Sequence, residues 1–248
     1  MKAVILCGGK GTRIRSGAND LPKVLFEIGG RPILWHLMKS FRAVGIREFV
    51  LCLGYRGDAI RAHFAPTFDA PADDTPLTVE DPQEDWVVTL VDTGEATNTG
   101  GRIFRASPVL TDDTFIVTYG DGLASIDLPA LVRFHERHGH LGTVTAVRAR
   151  SQFGLVSIGA EGQVRRFREK PPLRSWVNGG FFVFNRGFLD YLQDDVVLED
   201  GPVTRLAKAG EMMAFRHGGF WACMDTYKDL QLLNDLWNQG KAAWKTWQ

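Results

Sequence analysis

Gly8, Gly9 and Gly11 stand beside Thr12 and Arg13 near the start of the chain, and Pro22-Lys23 follows closely. Glycines this dense let backbone N–H groups approach phosphate oxygens, because no Cβ shields them and positive φ is open to them. Thr12, Arg13 and Lys23 add a hydroxyl and two fixed cations, a set suited to holding a nucleoside triphosphate. The same glycines also suit a strand-to-helix turn that needs them for its own geometry; the two cations favour the phosphate. A P-loop does not fit, since Gly11 is followed by Thr12-Arg13, and a dinucleotide fingerprint lacks its third glycine where Ile14 stands.

Two carboxylates, Asp121 in Tyr119-Gly120-Asp121-Gly122 and Asp225 in Met224-Asp225-Thr226, are the candidate metal ligands. Mg²⁺ suits them, a hard ion that takes one or two protein carboxylates together with phosphates and water. On residue type alone Asp225 also suits a helix N-cap and Asp121 a turn. Lys170, in Glu169-Lys170-Pro171, is either a solvated turn residue or a partner for a second phosphate across the cleft from Lys23. In the latter case Asn178 and Glu169 would hydrogen-bond a polyol. The histidines show no His-Glu-x-x-His or other metal pair, and His135, His138 and His140 are expected at a solvent-exposed helix end.

The elements that must position these groups follow from hydrophobic period. Lys2 to Cys7 and Glu48 to Gly54 read as buried parallel strands, and Pro32 to Val44 as a helix with Ile33, Leu34, Leu37, Met38 and Phe41 on one face. Asp58 to Phe64 is a short helix, and Phe115 to Thr118 a strand that puts Asp121 at its carboxyl end, where open α/β sheets bind ligands. The fold class is therefore α/β: a doubly wound, mostly parallel, Rossmann-like mixed sheet with a second, smaller lobe laid against it. Pro66 to Asp85 reads as an exposed excursion. Beyond residue 140 come shorter β-like runs, Gly142 to Arg148, Gly154 to Ile158 and Gly180 to Asn185, and then a helix over Asp225 to Trp237. The expected organisation is a single domain over 1–248, with a nucleotide-binding lobe at 1–123 and a second lobe with a helical tail at 124–248, the lobe that the resemblance described below makes sugar-binding.

Lys plus Arg balances Asp plus Glu, 29 against 29, so no long-range field points to nucleic acid or an anionic membrane. Three cysteines without a Cys-x-x-Cys spacing read as reduced core thiols. With no signal-like segment and no membrane span, the cytoplasm is the expected location. Trp244 and Trp247 read as packing or subunit-contact residues, and a homo-oligomer is expected.

Nearly end to end, the chain resembles the nucleotide-sugar pyrophosphorylases, and most closely their cytidylyltransferase branch. Gly-Gly-x-Gly-Thr-Arg with Pro-Lys marks the broad family. The branch is marked by Asp92-Thr93-Gly94 with Thr99-Gly100-Gly101-Arg102, by Thr118-Tyr119-Gly120-Asp121-Gly122, and by Trp244-Lys245-Thr246-Trp247. The resemblance implies that Leu6, Gly8, Gly9, Gly11, Thr12, Arg13, Lys23, Thr99, Arg102 and Gly120 bind the nucleotide. Arg13, Lys23 and Asp121 would be catalytic, and Asp121 with Asp225 would hold Mg²⁺. Phe153, Gly154, Glu169, Lys170, Asn178 and Gly179 would receive the sugar phosphate. The implied reaction makes a CDP-sugar, CDP-glucose for bacterial dideoxysugars, from CTP and a sugar 1-phosphate. Gly201 and Ala222 depart from the family pattern near the expected sugar pocket, which keeps a different sugar 1-phosphate open as the alternative. A non-catalytic nucleotide-sugar sensor is disfavoured by the presence of Arg13, Lys23 and both aspartates.

Overall fold

Residues whose side chains alternate between two apolar surroundings build the centre of the molecule. In the computed structural model, which describes residues 1–11, 21–65 and 76–247, Lys2–Leu6 (β1) buries Ala3 and Ile5 in one apolar cluster and Val4 and Leu6 in another. A strand buried on both faces must lie inside a sheet covered on both sides. A short 3₁₀ turn (Lys23–Leu25) follows, then a small hairpin of β2 (Glu27–Ile28) and β3 (Arg31–Pro32). Pro32 leads into α1 (Ile33–Arg42), whose Ile33, Leu34, Leu37, Met38 and Phe41 are all buried.

The chain continues through β4 (Glu48–Leu53), α2 (Gly57–Phe64), β5 (Leu77–Asp81), β6 (Trp86–Asp92) and α3 (Thr99–Ala106). β7 (Thr114–Tyr119), β8 (Gly122–Ala124), α4 (Leu128–His138) and β9 (Gly142–Val147) follow. Then come β10 (Leu155–Ile158), β11 (Val164–Arg168), β12 (Val177–Asn178), β13 (Phe182–Asn185), α5 (Thr204–Lys208), β14 (Met212–His217), β15 (Trp221–Cys223) and α6 (Tyr227–Asn238). The main sheet runs β5-β6-β4-β1-β7-β13-β9-β14, with β12 continuing along β9 beyond β13. β6, β4, β1 and β7 are mutually parallel, while β5, β12 and β13 run antiparallel to their neighbours. This is the doubly wound mixed sheet that the residue pattern implies.

Two expectations change. Part of the supposed excursion, Leu77–Asp81, is the edge strand β5, paired antiparallel to β6 from Leu77↔Leu90 to Asp81↔Trp86; alternation of half-buried and exposed residues marks it as a strand with one solvated face. Residues 66–75 lie outside the described residues. The histidine cluster is not a solvated helix end: His135 is buried, bonded to Thr143 Oγ1 (2.9 Å) and Asn185 Oδ1 (3.0 Å), and His138 also reaches Thr143. Burial holds the pKa of both below the usual imidazole value. The C-terminal tail packs within its own chain, with Trp244 buried and Trp237, Trp244 and Trp247 set against His36 on α1.

Candidate active site

From β1 the chain steps to β4 and β6 on one side and places β7 on the other. The strand order reverses between the parallel β1 and β7 and opens a crevice at their carboxyl ends, the place where such sheets bind ligands. A cleft of about 340 Å³ lies there. Leu6, Gly8, Gly9, Gly11, Lys23, Thr99, Arg102 and Gly120 line it together with Asp121 and Asp225. Thr12 and Arg13 lie outside the described residues.

Strand pairing brings the two aspartates together from positions distant in sequence. β8 and β15 are antiparallel with Gly122 opposite Cys223, and the next pair outward is tied by Met224 N–H donating to Asp121 O at 2.9 Å. Asp121 enters β8 as Asp225 leaves β15. The cap of α6 is Thr226, which accepts from Asp229 N–H while the Asp229 carboxylate accepts in return. Asp225 is one residue earlier and does not serve as the N-cap.

The Lys23 ammonium donates to Asp121 Oδ2 at 2.6 Å and to Asp225 Oδ1 at 2.7 Å. Burial alone would lower its pKa, but the Asp121 charge and the hydrogen bonds to both carboxylates outweigh that and raise it. A point that already holds a cation between two carboxylates has the donor set of a hard divalent metal site. Among the described residues no group of three or more His, Cys, Asp or Glu converges. A metal at this point would therefore draw its other ligands from phosphate oxygens and water.

The opposite wall is the start of α3. Thr97 and Asn98, just before the helix, and Thr99, its first residue, face the cleft. Gly100 and Gly101 have a packing role: their N–H groups both donate to Val196 O, and an added Cβ would meet Val196 or Asp195 within 3 Å. One turn on, Arg102 points back beneath the glycine loop. It is 4% exposed, and its guanidinium donates to Leu53 O, Thr93 Oγ1, Gly94 O, Gly8 O and Glu95 O at 2.8–3.2 Å.

Beyond Asp121 the wall continues through residues that the sequence motifs did not single out for the site. The Tyr119 hydroxyl donates to the Glu199 carboxylate, and Thr99 Oγ1 contacts Glu199 at 3.3 Å. Burial, reinforced by Glu199, pushes the Tyr119 pKa far up. Glu199 and Asn178 also line an adjoining apolar hollow of about 270 Å³ with Trp176 and Phe182. Tyr119, Thr97 and Asn98 lie inside or beside quoted motifs, so their neighbourhood was a usable signal. For Glu199 the only nearby signal was the departure at Gly201.

The expected sugar-phosphate residues divide. Asn178 lines the hollow, and Gly179 lies beside it, its carbonyl accepting from Trp221 Nε1 at 2.9 Å. Phe153, Gly154, Glu169 and Lys170 flank the β10–β11 hairpin and do not line the cleft. Phe153 is 75% exposed, and Lys170 and Glu169 are a loose surface pair at 4.0 Å.

A crossover cleft with a glycine loop, a lysine and two convergent carboxylates has the layout expected of a nucleotidyl-transfer site. The nucleotidyl transferase family model matches residues 2–216, and the chain belongs to that family. Over the full length of both chains it is 44% identical to the probable glucose-1-phosphate cytidylyltransferase of Bacillus subtilis (strain 168). It is 46% identical, again with 100% of each chain covered, to the glucose-1-phosphate cytidylyltransferase of Salmonella typhimurium (strain LT2). The fold is similar to that of a putative glucose-1-phosphate thymidylyltransferase from Bacillus anthracis, with a TM-score of 0.71 at 19% identity over 95% of this chain and 94% of that one. Among the described residues no helix is long and apolar enough to cross a membrane.

Proposed function

We propose that this chain is a glucose-1-phosphate cytidylyltransferase, converting CTP and glucose 1-phosphate to CDP-glucose and pyrophosphate. The observation that carries this reading is its 44–46% identity, with no part of either chain left out, to relatives of that name. The cleft chemistry agrees with it. A phosphate oxygen of the sugar phosphate attacks the α-phosphorus of CTP in line, and pyrophosphate leaves. The second ionisation of a phosphate monoester has a pKa of about 6, so the nucleophile is already charged at neutral pH and needs no general base. Catalysis is then positioning and charge neutralisation.

In this reading Gly8, Gly9, Gly11, Thr12 and Arg13 wrap the triphosphate, with Leu6, Gly120, Thr99 and Arg102 framing the nucleotide. Asp121 and Asp225 hold Mg²⁺, which when bound supplies Lewis-acid neutralisation of phosphate charge. Lys23, now shared by the two carboxylates, turns to the α-phosphate, where its charge offsets that built up during attack. Asn178 and Gly179 receive the sugar beside the hollow, and Phe153, Gly154, Glu169 and Lys170 close on its phosphate from the hairpin. Residues 1–123 form the nucleotide lobe and 124–248 the sugar lobe and tail of one domain. The enzyme works in the cytoplasm as a homo-oligomer, supported by the exposed Phe153, Ile158, Val164 and Phe167.

The test is pyrophosphate release from CTP with a panel of sugar 1-phosphates and Mg²⁺. Glucose 1-phosphate should give the highest kcat/KM. A different winner transfers the assignment to another sugar, and no release with any of them refutes it.

A further inference from the structure

The three glycines of the loop are glycine for different reasons. Gly11 has φ +56°, a left-handed conformation that side chains rarely adopt. Gly9 has no atom within 4 Å of the place a Cβ would occupy and no positive φ, so its bare backbone is open to a ligand. Gly8 differs from both. Its φ is not in the positive region, yet a Cβ there would lie 2.1 Å from Arg102 Nη1 and 2.2 Å from Cζ. Gly54, just after β4, is in the same position, 2.3 Å from Arg102 Nη1.

We propose that Arg102 is a positioning residue for the nucleotide: its buried guanidinium fixes the glycine loop from beneath, and Gly8 is glycine to admit that guanidinium. The inference rests on the cleft being the nucleotide site, and it assigns Arg102 a role exerted through the loop. An arginine tip is usually mobile, and a clash with it is cheaply relieved. This one is pinned by hydrogen bonds to acceptors at or just beyond the ends of β1, β4 and β6, so it cannot swing aside without stranding buried carbonyls. Among the described residues no carboxylate forms an ion pair with it. Its contacts instead gather the Leu53, Gly94, Glu95 and Gly8 carbonyls, occupying acceptors that would repel a triphosphate. Lysine offers a single centre with three donors and cannot reproduce a planar fork spread over so many acceptors.

The experiment is a double-mutant cycle with the full chain, Gly8→Ala and Arg102→Ala singly and together. CTP affinity is measured by calorimetry, and KM for CTP and for glucose 1-phosphate by pyrophosphate release. Gly8→Ala should weaken CTP binding about tenfold or more in the native background and less than about twofold when Arg102 is already Ala. KM for CTP should rise in Arg102→Ala while KM for glucose 1-phosphate stays within about twofold, and added millimolar guanidinium should restore part of the lost CTP affinity. Should Arg102→Ala fail to fold, Arg102→Lys keeps the stem and charge with a smaller head and should show the same non-additivity. An equal cost of Gly8→Ala in both backgrounds, or no cost in the native one, overturns the inference. Failure of the native protein to bind CTP, UTP, GTP or ATP would instead refute the nucleotide site itself.

Discussion

The cleft proposed for the nucleotide and the β10–β11 hairpin proposed to meet the sugar phosphate are built in opposite ways. Among the described residues of the cleft, Lys23 is held by Asp121 and Asp225 from distant parts of the chain, and Arg102 by acceptors at three strand ends. On the hairpin all four residues of β10 are exposed, as are four of the five in β11, and Phe153 and Phe167 are 75% and 62% exposed. An isolated two-stranded hairpin is marginally stable in water. The contrast separates a site whose charged groups folding has already gathered, Lys23 needing in the proposed reading only to turn from the carboxylates, from a hairpin whose residues do not line the cleft.

The largest effects should come from breaking the preorganised side. In the proposed roles Asp121→Asn weakens the metal site and Lys23→Ala removes a positive charge from beside the reacting phosphate, and in each kcat should fall by about 10²–10³, with CTP still bound. The loss should be larger than for any hairpin substitution under the same assay. Unchanged turnover in Lys23→Ala would remove Lys23 from the chemistry and leave it as a counter-ion between two aspartates.

The hairpin side gives a smaller and differently shaped effect. Lys170→Ala should raise KM for glucose 1-phosphate about tenfold, the equivalent of about 1.4 kcal/mol, with KM for CTP unaffected. If KM for both substrates stays where it was, Lys170 is a solvated turn residue, the other reading its place before Pro171 allows, and the comparison sharpens into a functional cleft beside a structural hairpin.

How far the sequence reached follows the same division. Short-range signals sufficed for the strand ending at the glycine loop, for α1 with its apolar face, and for Asp121 after β7, since each is set by local period and by residue type. Asp225 was legible as a candidate, yet its approach to Asp121 depends on β8–β15 pairing across about a hundred residues, which no local pattern encodes. Arg102 was legible as a cleft residue, which it is, but not that its guanidinium faces loop carbonyls; which way a long side chain turns is decided by the acceptors that folding brings around it. Edge strand β5 was hidden because its polar, Pro-flanked sequence has the composition of a loop and acquires its state from pairing with β6. His135 was misread for a related reason. Three histidines near a helix end have a solvated composition, but the Thr143 hydroxyl and Asn185 amide that satisfy the buried ring come from β9 and β13.

That buried histidine yields the smallest expected effect and the last contrast between the regions. Burial lowers the His135 pKa from its usual 6.5, so the folded state keeps the ring neutral where the unfolded chain takes up a proton. Below about pH 6.5 the unfolded state therefore binds more protons, and stability must fall with falling pH until the folded-state pKa is passed. His36 and His63, also lowered chiefly by burial, add in the same direction. His135→Gln should make the decline in urea-unfolding free energy between pH 7 and 5 shallower without abolishing it, although stability at pH 7 is itself reduced. Glu169→Gln breaks only the loose surface pair with Lys170 at 4.0 Å, a type of contact that contributes between about 0 and 1 kcal/mol, and should leave the slope unchanged. A slope altered by Glu169→Gln and indifferent to His135→Gln would reverse the comparison, placing the acid-sensitive contacts on the hairpin instead of in the sheet.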